Sequence, residues 1–212
     1  MTDSAPAVQF RDLTDLSQIQ QDIWMSLQRS VTARDCGWRL PVLATRSGDT
    51  VRQRTVVLRR VDTAAGCLFA HTDHRSPKVA QLRADSTVSL LFYDHAAATQ
   101  LVVTAVASVH TDDALAAEFW ESEPESSLRG YLGPHPPGSP ADQPDSNLPA
   151  EFLGRVPQRG ELTPARINFA VIRFRVTAIE WLHLSREGNL RAVFPATETS
   201  GDGPLSGGWL HP

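Results

Sequence analysis

The sequence predicts a mainly β domain with flanking helices, its strands meandering antiparallel into a barrel. Three observations carry this: one apolar stripe at helical spacing near the N-terminus, a series of short β-like runs behind it, and turn residues between successive runs. At 212 residues the chain is long enough for one well-buried domain, and residues 1–212 read as a single unit.

Leu16, Ile19, Ile23, Trp24, Leu27 and Val31 recur at three- and four-residue intervals, which predicts an amphipathic helix over about residues 14–32 with Thr14 as its cap. The period then shortens. Leu40–Thr45, Arg54–Val61, Cys67–His71, Thr87–Tyr93 and Leu101–His110 read as strands, punctuated by Ser47-Gly48-Asp49 and by Asp62 to Gly66. A short helix follows Pro77, with Val79, Ala80 and Leu82 as its apolar face and Asp85-Ser86 as its stop, and another runs from about Asp112 to Glu121. Residues 133–149, nearly all Pro, Gly, Ser, Asp and Asn, form a long loop, which is either a disordered excursion or a flap over a ligand. β character resumes at Phe169–Leu184 and Leu190–Phe194, joined by Gly188-Asn189 as a hairpin turn. Trp209-Leu210 would pin the tail onto the barrel or onto a partner subunit.

Composition narrows the function classes. A hydrophobic content of 41% and a charged content of 21% are those of a soluble globular protein. The net charge of −4 argues against general affinity for nucleic acid or anionic lipid, so an anion site must be a local concentration of Arg and Lys. No apolar stretch approaches about 18 residues, and the N-terminus lacks the basic and apolar regions of a secretory signal, so the expected location is cytoplasmic, with no membrane partner. Cys36 and Cys67 make neither a disulfide framework nor a zinc set, and Cys67 reads as a small core residue. Rossmann, P-loop and nucleophile-elbow motifs are missing. His71-x-x-His74 lacks a third ligand at a recognisable interval, so these read as exposed loop histidines and no metal site is expected.

What remains is the basic set between Arg54 and Lys78. Strand alternation puts Arg54, Val56 and Leu58 on one face and Thr55, Val57 and Arg59 on the other. Arg75, Ser76 and Lys78 sit where a turn passes into a helix, and a phosphate there would meet two cations, a hydroxyl and unpaired backbone amides.

The order RTVVLR, then GCLFAHTDHRSPK, then VSLLFY, then Gln100 with LVV, resembles the FMN-binding split-barrel flavoproteins related to pyridoxamine 5′-phosphate oxidase, over about residues 52–120. A weaker echo follows at Ile179-Glu180-Trp181, Arg191 and the closing Trp209-Leu210-His211-Pro212. The resemblance implies a six-stranded antiparallel split β-barrel that binds FMN. It places Arg54, Thr55, Val56, Val57 and Leu58 along the flavin, with Arg54 near the phosphate. His71 and Thr72 lead into a phosphate grip formed by Arg75, Ser76 and Lys78. Gln100 would hydrogen-bond the flavin, and Trp181 with Arg191 would complete the site from the other subunit of a homodimer.

Departures concern the substrate. Where the oxidase would place a lysine, a tyrosine and an arginine around its substrate phosphate, this chain offers Arg59, Phe119 and Glu123, and only Ser127 keeps a hydroxyl. An acid in place of a phosphate-binding arginine repels a phosphorylated vitamer. Glu187 and Asn189 stand about where an arginine and a histidine are expected. The resemblance therefore implies an FMN-dependent oxidoreductase acting on a small molecule other than that vitamer. The alternative is a non-catalytic flavin- or small-ligand-binding protein, with haem or deazaflavin as further options.

Overall fold

The computed structural model describes residues 7–195 and 207–212. The first helix, α1 (Leu16–Ser30), starts one residue later than Thr14 would set it, because the Asp15 carboxylate accepts from the amides of both Ser17 and Gln18. Thr14 instead gives its hydroxyl to Asp12. Ile19, Ile23 and Leu27 are fully buried on one stripe of α1, which covers the barrel core.

The strands are β1 (Val42–Ser47), β2 (Thr50–Thr55), β3 (Arg60–Asp62), β4 (Cys67–Asp73), β5 (Thr87–Asp94), β6 (Thr99–His110), β7 (Phe169–His183), β8 (Leu190–Pro195) and β9 (Gly208–Leu210). Helices α2 (Pro77–Ala84), α3 (Ala114–Ser122) and α4 (Glu125–Leu128) flank them. All ladders are antiparallel, in the order β2-β1-β5-β6-β7-β4-β3, with β8 paired to β7 and β9 to β8. The tail is thus pinned to the sheet through β9.

Two expectations change. The described sheet has nine strands rather than six, and its ladder path does not close. The strand expected over Arg54–Val61 is also interrupted, because this run changes partners. The amides of Val56 and Leu58 donate to the carbonyls of Pro41 and Arg39, after which the Arg59 amide donates to Phe69 of β4. β2 and β3 are therefore two ends of one crossing segment, and the sheet is split where it passes.

Inward residues of β1, β5, β6 and β7, including Leu43, Phe92, Leu101, Val103, Phe174 and Trp181, fill the main core beneath α1. A second core joins α3 to β4 and β7 through Phe69, Phe119, Trp120, Leu162 and Phe169. Residues 133–149 contain no helix or strand, as expected, and they fold back on themselves: Asn147 accepts from the His135 amide at 3.0 Å and donates to its carbonyl at 2.7 Å. Arg159–Asn168, not anticipated from the sequence, is a 3-10 stretch that contains Pro164. Among the described residues, no helix is long and apolar enough to cross a membrane.

Candidate functional site

The turn between β4 and α2 gathers the first group. Asp73 accepts from the Arg75 amide at 2.8 Å, reversing the chain so that Ser76 caps α2 with Pro77 at its first position. Ser76 uses its hydroxyl for no cap bond. Lys78 donates from Nζ to Thr72 Oγ1 at 3.0 Å and to Ser76 Oγ at 3.1 Å, and the two hydroxyls lie 3.1 Å apart. Arg54 comes in from β2, held by Gln81 Oε1 at 2.8 Å and by Thr45 Oγ1. Burial and the nearby Arg54 guanidinium lower the pKa of the Lys78 ammonium. Burial, with Arg52 adding to it, lowers that of Arg54. Among the described residues neither cation meets a carboxylate within ion-pair distance.

Arg75 does not join them. Its guanidinium pairs with Asp73, Nη2 to Oδ2 at 2.7 Å, and donates to the carbonyls of Gly133 at 2.8 Å and Pro134 at 3.3 Å. It ties the turn to the 133–149 loop, and the hydrogen bond to Asp73 raises its pKa.

A second group lies where the crossing segment meets α3. Arg59 Nη1 stands 3.4 Å from Glu123 Oε2 and 3.5 Å from Ser127 Oγ. Phe119 packs beside them under the Arg60 guanidinium, which sits 3.8 Å from its ring centroid. His71 corrects an expectation: it is an inward residue of β4, with its side chain 3% exposed, and not an exposed loop histidine. Its ring meets Phe119 and Phe169 edge-on at 5.2 and 4.9 Å, and its Nε2 is buried without a partner. Burial, then Arg59 and Arg60, pull its pKa from 6.5 to about 3, so it is neutral at ordinary pH.

The third group is separated by strand alternation. Tyr93, Gln100, Leu182, Arg191 and Leu210 are successive cross-strand partners and therefore share one sheet face. Trp181 pairs with Leu101 and Ala192 on the opposite face, fully buried in the core against Phe10. Trp181 and Arg191 are thus not brought together. Arg191 instead pairs with Glu180 at 2.8 Å.

Residues 22–111, somewhat under half of the chain, match the family model for the pyridoxamine 5′-phosphate oxidase FMN-binding domain. Over that segment the chain is similar to pyridoxamine 5′-phosphate oxidase FMN-binding domains. Its fold matches a pyridoxamine 5′-phosphate oxidase-related, FMN-binding protein from Nostoc punctiforme PCC 73102 with a TM-score of 0.64 at 18% identity, covering 91% of this chain and 96% of that one. PhzG from Burkholderia lata 383, solved with tetrahydrophenazine-1-carboxylic acid, gives a TM-score of 0.60 at 14% identity, covering 92% of this chain and 91% of that one. A protein related to general stress protein 26, from Clostridium acetobutylicum, gives 0.51 at 10% identity over 84% and 94% of the two chains. No curated protein matches the sequence.

The residues at the β4–α2 turn fit a phosphate group of the kind that FMN carries. Two cations without carboxylate partners, two hydroxyls and the start of α2 converge on one place. Sequence reasoning missed Thr45 and Gln81, which aim Arg54, although Gln81 lies three residues after Lys78 on the same helix and that spacing was a usable signal. It also missed Leu182, which the period-two alternation of β7 sets on the face of Gln100 and Arg191.

Proposed function

We propose that this protein binds FMN and acts as an FMN-dependent oxidoreductase on a small molecule. One observation carries the reading: Lys78 bonds the Thr72 and Ser76 hydroxyls with the Arg54 guanidinium nearby, and among the described residues no carboxylate neutralises either cation, an arrangement that favours a dianion. In this role Lys78 and the two hydroxyls hold the phosphate, and Arg54, oriented by Gln81 and Thr45, supplies the second charge. Arg75 fixes the turn through Asp73 and the loop carbonyls without touching the phosphate. Thr55, Val56, Val57 and Leu58 border the ring, and Val57 leaves the sheet's ladders just where the crossing segment passes. Bound FMN supplies hydride or electron transfer, so the protein's own work is binding and orientation.

The reading includes a homodimer. The row Tyr93, Gln100, Leu182, Arg191 and Leu210 runs beside a second row, Leu91, Val102, Glu180 and Val193, on the same face. Leu91, Tyr93 and Leu210 are each at least 40% exposed, an apolar sheet face suited to a second copy that would bring Gln100 and Arg191 to a shared cofactor site.

Purified protein mixed with FMN and desalted should retain yellow flavin absorbance. Lys78→Ala and Arg54→Ala should each weaken retention at least about tenfold, the loss expected for one charge-assisted phosphate contact. Full retention by the double variant would exclude this clamp. Bound flavin that is reduced by NADH or NADPH and reoxidised by an acceptor marks an enzyme, whereas inertness across donors and acceptors would leave a binder.

A further inference from the structure

Beside the crossing segment lies a cavity of roughly 660 Å³, whose walls include Arg39, Val57, Arg59, Ser127, Arg129 and Leu148. Three of those residues are arginines, and no acidic side chain lines it. Arg39 donates from Nη1 to the Val31 carbonyl at 3.0 Å, and Arg129 donates from Nη1 to the Arg155 carbonyl at 2.9 Å. Backbone carbonyls thus orient both guanidinium groups without cancelling their charge, and among the described residues neither has a carboxylate partner. Arg59 differs: Glu123 stands 3.4 Å away, while its Nε is buried with no hydrogen-bond partner. A cavity that leaves two half-buried cations unpaired and a third incompletely bonded suits an anion, because oriented guanidinium groups gain from a ligand that brings the missing charge and acceptor oxygens.

We propose that this pocket binds a small carboxylic acid as its anion, with the carboxylate between Arg39 and Arg129. Ser127 supplies a hydroxyl, and Val57 and Leu148 face the apolar part of the ligand. Glu123 chooses between anion classes. Its charge, close to Arg59, repels a phosphate dianion more strongly than a singly charged carboxylate. The loop wall is fixed in place, since Asn147 is bonded twice to His135 next to the Arg75-held carbonyls. Val57 belongs to the segment assigned to the flavin ring, so the acid would be the substrate; that role rests on the flavin reading, whereas binding of the acid does not.

The test uses benzoate as the probe, titrated calorimetrically into the full chain without added flavin and again after FMN is supplied. Benzoate should bind at one site per chain in both states and weaken several-fold as salt rises from about 50 to 300 mM. Neutral benzamide should bind at least about tenfold more weakly, and phenyl phosphate should not displace benzoate. Arg129→Gln should cost at least about tenfold in affinity with an unchanged melting temperature, whereas Arg83→Gln, on an exposed turn of α2, should cost nothing. Arg39→Gln should match Arg129→Gln, and because Arg39 also supports the Val31 carbonyl, the Arg129 result decides if that variant unfolds. Absence of benzoate binding, displacement by phenyl phosphate, or wild-type affinity in folded Arg129→Gln would each overturn the proposal. Benzoate binding by a protein that never retains FMN would uphold the pocket and sink the flavin reading, so the two failures are distinct.

Discussion

His71 shows how much one side chain can carry. It is neutral in the fold because burial, then Arg59 and Arg60, hold its pKa near 3 against an ordinary 6.5. Between those values the unfolded chain takes up a proton that the native site refuses. Its contribution to stability is therefore fully present above about pH 6.5 and is lost progressively as pH falls toward 3, a penalty on the order of several kcal/mol by the end of that window. His71→Phe keeps a flat ring between Phe119 and Phe169 and removes the unpartnered Nε2. Urea unfolding at pH 7 and pH 5 should show the variant within about 1 kcal/mol of wild type at pH 7 and distinctly less acid-sensitive at pH 5. An unchanged pH slope would show that His71 does not set it. The sequence hides this burial, since His71 closes the expected strand and HTDH continues as a polar turn. Only the Phe119 and Phe169 rings, contributed from elsewhere in the chain, turn His71 into a core residue.

At the scale of elements, Arg75 joins two segments that the sequence presents as unrelated. Replacing it with Ala removes its bonds to Asp73 and to the carbonyls of Gly133 and Pro134, charge-assisted contacts worth about 1.5–3 kcal/mol each before compensation by water. Arg75→Ala should be cut several-fold faster within residues 133–149 by a nonspecific protease while its global melting changes little; equal rates would mean that the loop is held by its own bonds alone. Periodicity made most elements legible: α1, α2 and α3 and the strands from β4 to β8 lie where apolar spacing and turn residues put them, within a residue or two. The partner change at Val56–Arg59 was hidden, because a strand looks the same whichever neighbour it bonds. β2 was hidden beyond Arg54 because Thr50–Gln53 are all exposed and carry no apolar alternation. The Trp181 assignment followed the family resemblance, whereas the register of β7 against β6 and β8 decides which face each side chain takes, and that register depends on contacts made far along the chain.

For the whole molecule, the proposed assembly makes a direct prediction. Leu182→Glu puts a carboxylate between Gln100 and Arg191 in the middle of their row on the outer sheet face, away from the core that Trp181 fills. Light scattering at micromolar concentration should give a dimer mass for wild type and a monomer mass for the variant, with circular dichroism unchanged; a monomeric wild type would remove the shared-site model. The position of β7 has a different kind of consequence, one of timing. This strand, residues 169–183, lies between β6 and β4 and pairs with both, yet it follows both in the chain, more than 50 residues after β6 ends at His110. Until it arrives, β4 and β6 each present a bare edge, and the second core lacks Phe169. The sheet cannot be completed strand by strand as the chain emerges, so its middle closes only once β7 has been made, and a nascent chain stalled before Phe169 would be a sticky species dependent on chaperones.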